Sequence, residues 1–135
     1  MSNSVFKYSV VINARHLDVF GHVNNATYLQ FYEDARWELI EKGGFGHERI
    51  MREKTGPVIL KIELNFKKEL LNRDKITIET FCRKVKGSKI MFIKQNMLKE
   101  DSSLASSLDI TMGLLDMDKR RLISLTPKWL EAFGL

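Results

Sequence analysis

A short polar segment, residues 18–25, carries the residue types that could do chemistry in this chain. Its sequence, DVFGHVNN, places the carboxylate of Asp18 four residues before His22 and seven before Asn25. A carboxylate can attack a carbonyl carbon or take a proton from water, and an imidazole can move protons near neutral pH. Gly21 lets the backbone turn freely between them. The segment therefore suits transfer of an acyl group to water, although by residue type alone such a loop is more often a simple helix cap.

A long helix is predicted to begin directly after this segment. Apolar residues recur at helical spacing as far as Lys42, and Gly43–Gly44 ends the pattern. Asn24 or Asn25 is well suited to cap the helix. First-turn amides have no intrahelical acceptor and lie at the positive end of the helix dipole. We therefore expect them to hold a carbonyl oxygen and the negative charge that develops on it.

The remainder of the chain alternates apolar and polar residues, as strands do. Strands are predicted over residues 6–14, 58–66, 75–85, 89–99 and 104–116, and a short helix over 127–133. Short connections between the last three strands imply antiparallel neighbours. The predicted class is α+β, with a five-stranded antiparallel sheet wrapped round one long helix, in chain order β-α-β-β-β-β before the C-terminal helix. With no linker or repeat, residues 1–135 are expected to form a single domain.

Composition and charge restrict the classes of binding partner and the compartment that we expect for this chain. The net charge of +5 favours an anionic partner, but the cations are scattered and no nucleic-acid motif is present. A phosphate-bearing small molecule is therefore expected, and no nucleic acid. The single cysteine, Cys82, suits a reducing compartment, and neither a signal peptide nor a run of about 18 apolar residues occurs. A cytoplasmic protein without integral membrane contact is predicted.

Two further expectations concern assembly and metal. One helix covers only one face of the sheet, and apolar residues such as Trp37 and Phe92 compete for burial, which predicts a dimer or larger assembly. His16, Asp18 and His22 are residue types that ligate zinc or iron. The loop offers no further strong ligand, and no metal site is expected.

The segment resembles a family motif, D-x-x-G-H-V-N-N-x-x-Y followed by E-x-A-R, which runs here from Asp18 to Arg36. It is similar to that of the hotdog-fold acyl-CoA thioesterases of the 4-hydroxybenzoyl-CoA thioesterase type, including the bacterial group associated with the Tol–Pal system. The resemblance covers almost the whole chain. It implies hydrolysis of an acyl-CoA, or of an acyl group on a carrier protein, by a homodimer or homotetramer. No cofactor is implied, because coenzyme A is part of the substrate.

The resemblance also implies roles for residues of the motif. Asp18 matches the catalytic carboxylate, as nucleophile or general base, and the amide of Asn25 matches the donor that polarises the carbonyl. Gly21 and Asn24 match residues that shape the turn beside the substrate. His22 matches a subgroup of the family whose members have the sequence G-H-V-N-N at this position. Three roles stay open for it: general acid, hydrogen-bond partner of Asp18, or support of the loop. Other members carry histidine or tyrosine at the position of Asn25.

Further candidates lie outside the loop. Tyr28 is a substrate-binding candidate on the helix, where Glu33 and Arg36 match structural polar contacts; Glu33 is a reserve catalytic carboxylate. A basic cluster follows the third strand, and the family binds the nucleotide of coenzyme A near this hairpin, so the candidates for its phosphates are Arg83, Lys86, Ser88 and Lys89. The alternatives are a hotdog protein that binds acyl-CoA or a partner without turnover, and a hydratase or dehydratase on the same fold.

Overall fold

A long helix, α1, runs over Asn25–Lys42 in the computed structural model, which describes residues 4–135. Asn24 caps it, because its side chain accepts a hydrogen bond from the Ala26 amide. At its C-terminal end Gly44 adopts a φ of +91°, the left-handed conformation that ends many helices. The predicted helix and both of its end signals are confirmed.

Six strands and two short helices complete the described chain. The strands are β1 (Phe6–Val11), β2 (Thr55–Phe66), β3 (Lys75–Lys86), β4 (Ile90–Lys99), β5 (Leu104–Asp116) and β6 (Arg121–Ile123). The short helices are α2 (His47–Glu53) and α3 (Pro127–Ala132). All pairings are antiparallel, in the order β1-β3-β4-β5-β2, with β6 beside β5. The predicted α+β hotdog architecture is confirmed, and β6 is a short addition to the expected five strands.

The core lies between α1 and one face of the sheet. Along β4, Met91, Ile93, Gln95 and Met97 are buried while the residues between them are partly exposed, because successive side chains of a strand point to opposite faces. The other face carries charged side chains, and Asp109 there pairs with Arg83 and Lys94. The inward face is therefore apolar apart from Gln95 and a few neighbours.

Two boundaries differ from those predicted. The first strand ends at Val11 rather than residue 14, because Asn13 caps a 3-10 turn, Ala14–His16, by accepting from the Arg15 amide. The second strand begins at Thr55, three residues before the predicted start. Segment 44–56, which has no regular alternation, contains α2. Its Ile50 lies against Gly56, where a Cβ atom would approach within 2.9 Å.

Apolar surface remains along one side of the sheet. β2 is an edge strand, since it pairs only with β5. Ile62 and Phe66 on its helix-facing side stay 44% and 49% exposed, and Trp37 on α1 stays 38% exposed. A crevice between α1 and β2 therefore has apolar walls.

Candidate active site

The loop between β1 and α1 is a tight hairpin. Leu17 pairs with Val23 in an antiparallel bridge, and the Asp18 amide donates to the His22 carbonyl over 3.0 Å. The Gly21 amide closes the turn on the Asp18 carbonyl, and Gly21 has a φ of +83°. Aspartate at the first position and glycine at the last are preferred in such turns. The sequence of the loop thus sets its own shape.

The two carboxylate oxygens of Asp18 have different surroundings. Oδ1 accepts a hydrogen bond from the Phe20 amide over 2.8 Å, which fixes the side chain. Oδ2 lies 3.8 Å from His22 Nδ1, which is too far for a hydrogen bond but close enough for attraction when the imidazole is protonated. Oδ2 accepts no hydrogen bond from any residue between 4 and 135. One oxygen therefore holds the loop and the other is available to react.

The beginning of α1 presents a free amide. The amides of Ala26 and Thr27 donate to Asn24, through its side chain and its carbonyl respectively. The Asn25 amide, by contrast, has no acceptor among the residues that the structure describes. It is the first residue of the helix, where the dipole is positive. An acyl oxygen is the kind of group that this amide can bind.

A cavity of about 230 Å³ opens at this helix end. Its walls come from the loop, from α1 and from the segment after β2: His22, Val23, Asn25, Tyr28, Phe66, Lys67, Lys68 and Glu69. Tyr28 is buried, its hydroxyl donates to the Lys68 carbonyl over 3.4 Å, and its ring meets Phe66 edge-on. Asp18 does not line the cavity itself. Its Oδ2 lies 3.8 Å from Nδ1 of His22, which does line the cavity. The cavity thus brings together His22, Asn25 and Tyr28, while Asp18 and Gly21 lie in the adjoining turn and Asn24 caps the helix.

Residues of the segment after β2, which sequence analysis did not single out, also border this site. Lys67 and Lys68 line the cavity, and His22 forms a bridge with Leu71 in the same segment. The signal available in the sequence was a pair of cations directly after the most regular strand. Since strand β2 ends far along the chain from the loop, only the fold places them together.

The loop tip carries exposed apolar side chains. Val19 is 94% exposed and Phe20 is 80% exposed, and the Phe20 ring stacks on that of His22 at 6.0 Å with an interplanar angle of 15°. His16 faces the other way, where its ring packs edge-on against Phe31. Burial lowers the pKa of His16, and the positive charge of Arg15 lowers it further. Within residues 4–135, no group of three or more metal-binding side chains converges.

The basic hairpin lies at the far end of the sheet. Lys75 begins β3 beside the end of β1, next to the loop, whereas Lys86 ends it. Eleven residues of strand separate the two by about 36 Å. Lys86, Ser88 and Lys89 are therefore remote from Asp18 within one chain. Arg83 lies on the outer face of the sheet, paired with Asp109 over 3.0 Å.

Two candidates on α1 lie farther along the helix. Glu33 is exposed and Arg36 is buried, and both line a second cavity between α1 and β2 rather than the first. Neither contacts the loop that carries Asp18.

No helix among residues 4–135 is long and apolar enough to cross a membrane.

Comparison with known proteins places this geometry in a family. Residues 12–133 match the model of the thioesterase-like superfamily. The long-chain acyl-CoA thioesterase FadM of Escherichia coli strain K12 is 25% identical over 116 residues, covering 86% of this chain and 87% of the relative. The acyl-CoA thioester hydrolase YbgC of Escherichia coli O6:H1 is 23% identical, covering 86% of each chain.

A solved structure has the same fold. The protein SAV2348 of Staphylococcus aureus, solved in complex with CoA, superposes with a TM-score of 0.89 at 17% identity. The match covers 98% of this chain and 83% of that one.

Proposed function

This chain belongs to the thioesterase-like superfamily, and from that membership we propose that it hydrolyses acyl-CoA with Asp18 and the Asn25 amide as its catalytic groups. The chain is a thioester hydrolase by family and by its relatives FadM and YbgC. The observation that carries the residue assignment is that a carboxylate oxygen of Asp18 and the helix N-terminal amide of Asn25, seven residues apart, both lack a hydrogen-bond partner among residues 4–135. Release of thiol from acyl-CoA, followed with a chromogenic thiol reagent, tests the activity.

Two routes are compatible with Asp18. In the first, Oδ2 attacks the thioester carbonyl carbon, the carbon–sulfur bond breaks, and coenzyme A leaves as a thiolate that takes a proton. Water then hydrolyses the mixed anhydride and regenerates the carboxylate. In the second, Oδ2 takes a proton from a water, which attacks the same carbon directly. Both routes give a free acid and a thiol.

The Asn25 amide supports either route by the same means. Each route places a negative charge on the carbonyl oxygen in the transition state. A preorganised amide at a helix N-terminus stabilises that charge without reorganising, and one such donor typically contributes about 10²- to 10³-fold in rate. His22 is partly exposed, contacts Asp18 and lines the cavity, which suits a residue that orients the carboxylate.

His22→Asn is expected to lower kcat about tenfold, less than any loss of Asp18. Asparagine keeps a polar side chain at the border of the cavity but removes the imidazole that attracts Oδ2 when protonated. The measurement is kcat for one acyl-CoA. A matched change at the exposed His47, His47→Asn, should leave kcat unaltered, and a His22→Asn enzyme as active as wild type would exclude a role in turnover.

Lys67, Lys68 and Glu69 together give the rim of the cavity one net positive charge, and the two ammonium groups suit the phosphates of coenzyme A. The same rim suits the phosphate linker of a carrier-protein thioester, which is the second substrate form that we propose. The hairpin residues Lys86, Ser88 and Lys89 can assist only if a second chain brings its hairpin to this end of the sheet.

A homodimer through β2 has that property. An edge strand with apolar neighbours is a surface that proteins cover, and antiparallel pairing of β2 with its copy would do so. Two-fold symmetry then turns the far end of the partner's sheet toward the Asp18 loop. The cations of one chain's hairpin would thus lie on the same side as the catalytic loop of the other.

Ile62→Lys is expected to convert the dimer to a monomer and to reduce turnover more than tenfold. Lysine on the helix-facing side of the edge strand places charges next to each other across the two-fold axis. Light scattering after size-exclusion chromatography measures the mass, and the thiol assay measures turnover. Val11→Lys, at an equally exposed position on the opposite edge strand, is the control. A monomeric wild-type protein would refute the interface.

The competing hypothesis is a hotdog protein that binds acyl-CoA without turnover. A protein that only binds has no evident need of a carboxylate beside a free helix amide. Turnover by wild type that is lost on replacing Asp18 separates the two hypotheses.

A further inference from the structure

A second cavity of about 180 Å³ lies in the crevice between α1 and β2. Most of its walls are apolar: Trp37, Ile40, Pro57, Ile59 and Met112. The two exceptions are Glu33 and Arg36, one turn apart on α1. The volume is well above the roughly 10–15 Å³ that one water molecule needs. The cavity can therefore receive part of a larger molecule.

Arg36 is unusual because it is a buried cation with few partners. Only 8% of its surface is exposed, and the single hydrogen bond of its side chain among residues 4–135 runs from Nη1 to Gln95 Oε1 over 3.0 Å. A guanidinium has five N–H donors, so most of its hydrogen-bonding capacity is unused. None of the side-chain nitrogens of Arg36 is both fully buried and unpaired, so the donors that do not bind Gln95 face the cavity.

No neighbour among residues 4–135 supplies the missing bonds in the structure. Gln95 already donates from Nε2 to the Tyr32 carbonyl and to Thr80 Oγ1, at 3.1 and 2.9 Å. Arg36 forms no ion pair with any residue between 4 and 135. Burial lowers the pKa of Arg36, and the negative charge of Glu33, one turn away on α1, opposes this. Water in the cavity can accept from the donors that face it, so a molecule that displaces this water must accept from them in its place.

The cavity lies in line with the catalytic end of the helix. Arg36 follows Asn25 by eleven residues, which is about three turns, so both lie on nearly the same face of α1. The two positions are at most about 16 Å apart along the helix axis. An extended acyl chain whose carbonyl is held by the Asn25 amide would run along this crevice. A single aromatic ring would be too short to reach Arg36.

We propose that the cavity receives the distal part of the acyl chain and that Arg36 and Glu33 bind a hydroxyl group on it. This inference rests on the proposed function and names a substrate class for it: hydroxylated aliphatic acyl thioesters. A hydroxyl both accepts and donates, so it can accept from Arg36 and donate to the carboxylate of Glu33. A carboxylate on the chain would match Arg36 but would be repelled by Glu33. The hydroxyl satisfies both groups.

The test compares matched pairs of substrates. Plain and ω-hydroxylated acyl-CoAs from octanoyl to hexadecanoyl are assayed for kcat/KM. At the chain length that reaches Arg36, the ω-hydroxylated substrate should be preferred about tenfold or more, and the preference should vanish for shorter chains. A purely apolar pocket would give the opposite order, because burying a hydroxyl without a partner is unfavourable.

Two variants assign the preference to the residues. Glu33→Ala should lower the ratio of kcat/KM for ω-hydroxylated over plain substrates about tenfold, whereas the matched Glu41→Ala, exposed on the same helix but away from the cavity, should not change that ratio. Arg36→Met should abolish the preference. If that variant does not fold, the wild-type ratio and Glu33→Ala still decide the matter.

The outcomes separate the two levels of the proposal. Turnover of plain acyl-CoAs with no preference for hydroxylated chains at any length overturns this inference and leaves the proposed function intact. No turnover of any acyl-CoA overturns the proposed function. Calorimetric titration of wild type with ω-hydroxydodecanoate and dodecanoate then reports on the cavity alone, and equal affinities would overturn the inference. If the free donors of Arg36 instead bind a partner chain, Arg36→Met should become a monomer and keep the wild-type ratio of kcat/KM for ω-hydroxylated over plain substrates. That result would also overturn the inference.

Discussion

Asp18→Asn is expected to lower kcat for acyl-CoA hydrolysis at least about a hundredfold while the protein stays folded. Asparagine keeps the oxygen that accepts from the Phe20 amide, so the turn should persist. It replaces Oδ2 by an amide nitrogen that can neither attack a carbonyl nor take a proton. The measurement is thiol release at saturating substrate, with calorimetry of coenzyme A to show that binding is retained.

A closely matched control exists elsewhere in the chain. Asp101 makes the same kind of turn after β4, where its Oδ1 accepts from the Ser103 amide over 2.9 Å. Asp101→Asn therefore changes an equivalent turn without touching the cavity, and its kcat should equal that of wild type. If Asp18→Asn were fully active, the carboxylate would have to come from elsewhere, and Glu33 would be the next residue to replace.

The loop could be predicted from sequence because its structure is local. Asp18, Gly21 and Asn24 each act within a few residues of their own position, through a turn carbonyl, a left-handed φ and a helix cap. Such features depend on residue type and spacing, both of which are visible in the sequence. Family resemblance was still needed to choose between a cap and an active site.

Long-range features could not be predicted in the same way. Lys67 and Lys68 reach the cavity because β2 ends beside the loop, and nothing in their own segment indicates that neighbour. The hairpin cations were grouped with the site by resemblance, whereas the strand length separates Lys86 from the loop by about 36 Å in one chain. Distances across a sheet follow from topology, which local patterns do not contain.

The interior polar contacts show a related limit. Gln95 occupies an inward position of β4, between Ile93 and Met97, where the alternation predicts an apolar residue. Its three hydrogen bonds run to α1 and β3, and the Arg36 partner is 59 residues distant in sequence. A polar residue in an apolar register is the only signal available, and it does not name its partner.

Gln95→Leu is expected to lower the free energy of unfolding by about 4 kcal/mol, because it removes the one acceptor that the Arg36 side chain has among residues 4–135. Leucine has a similar volume, so packing is nearly conserved and the loss comes from unpaired polar groups. The Tyr32 carbonyl and the Thr80 hydroxyl lose their donor in the same step. Urea denaturation followed by circular dichroism measures the change, and Asn96→Leu, on the opposite face of β4, should stay within about 0.5 kcal/mol of wild type.

A double-mutant cycle with Arg36→Met tests the physical reason. If the cost of Gln95→Leu is mainly the stranded charge of Arg36, removing that charge as well should restore a large part of the stability, since an apolar pair can replace a buried polar one at little cost. Additive losses in the double variant would instead mean that Gln95 stabilises the sheet independently of Arg36. The same double variant should be folded and should give equal kcat/KM for ω-hydroxylated and plain acyl-CoA, because the donors that face the cavity are gone.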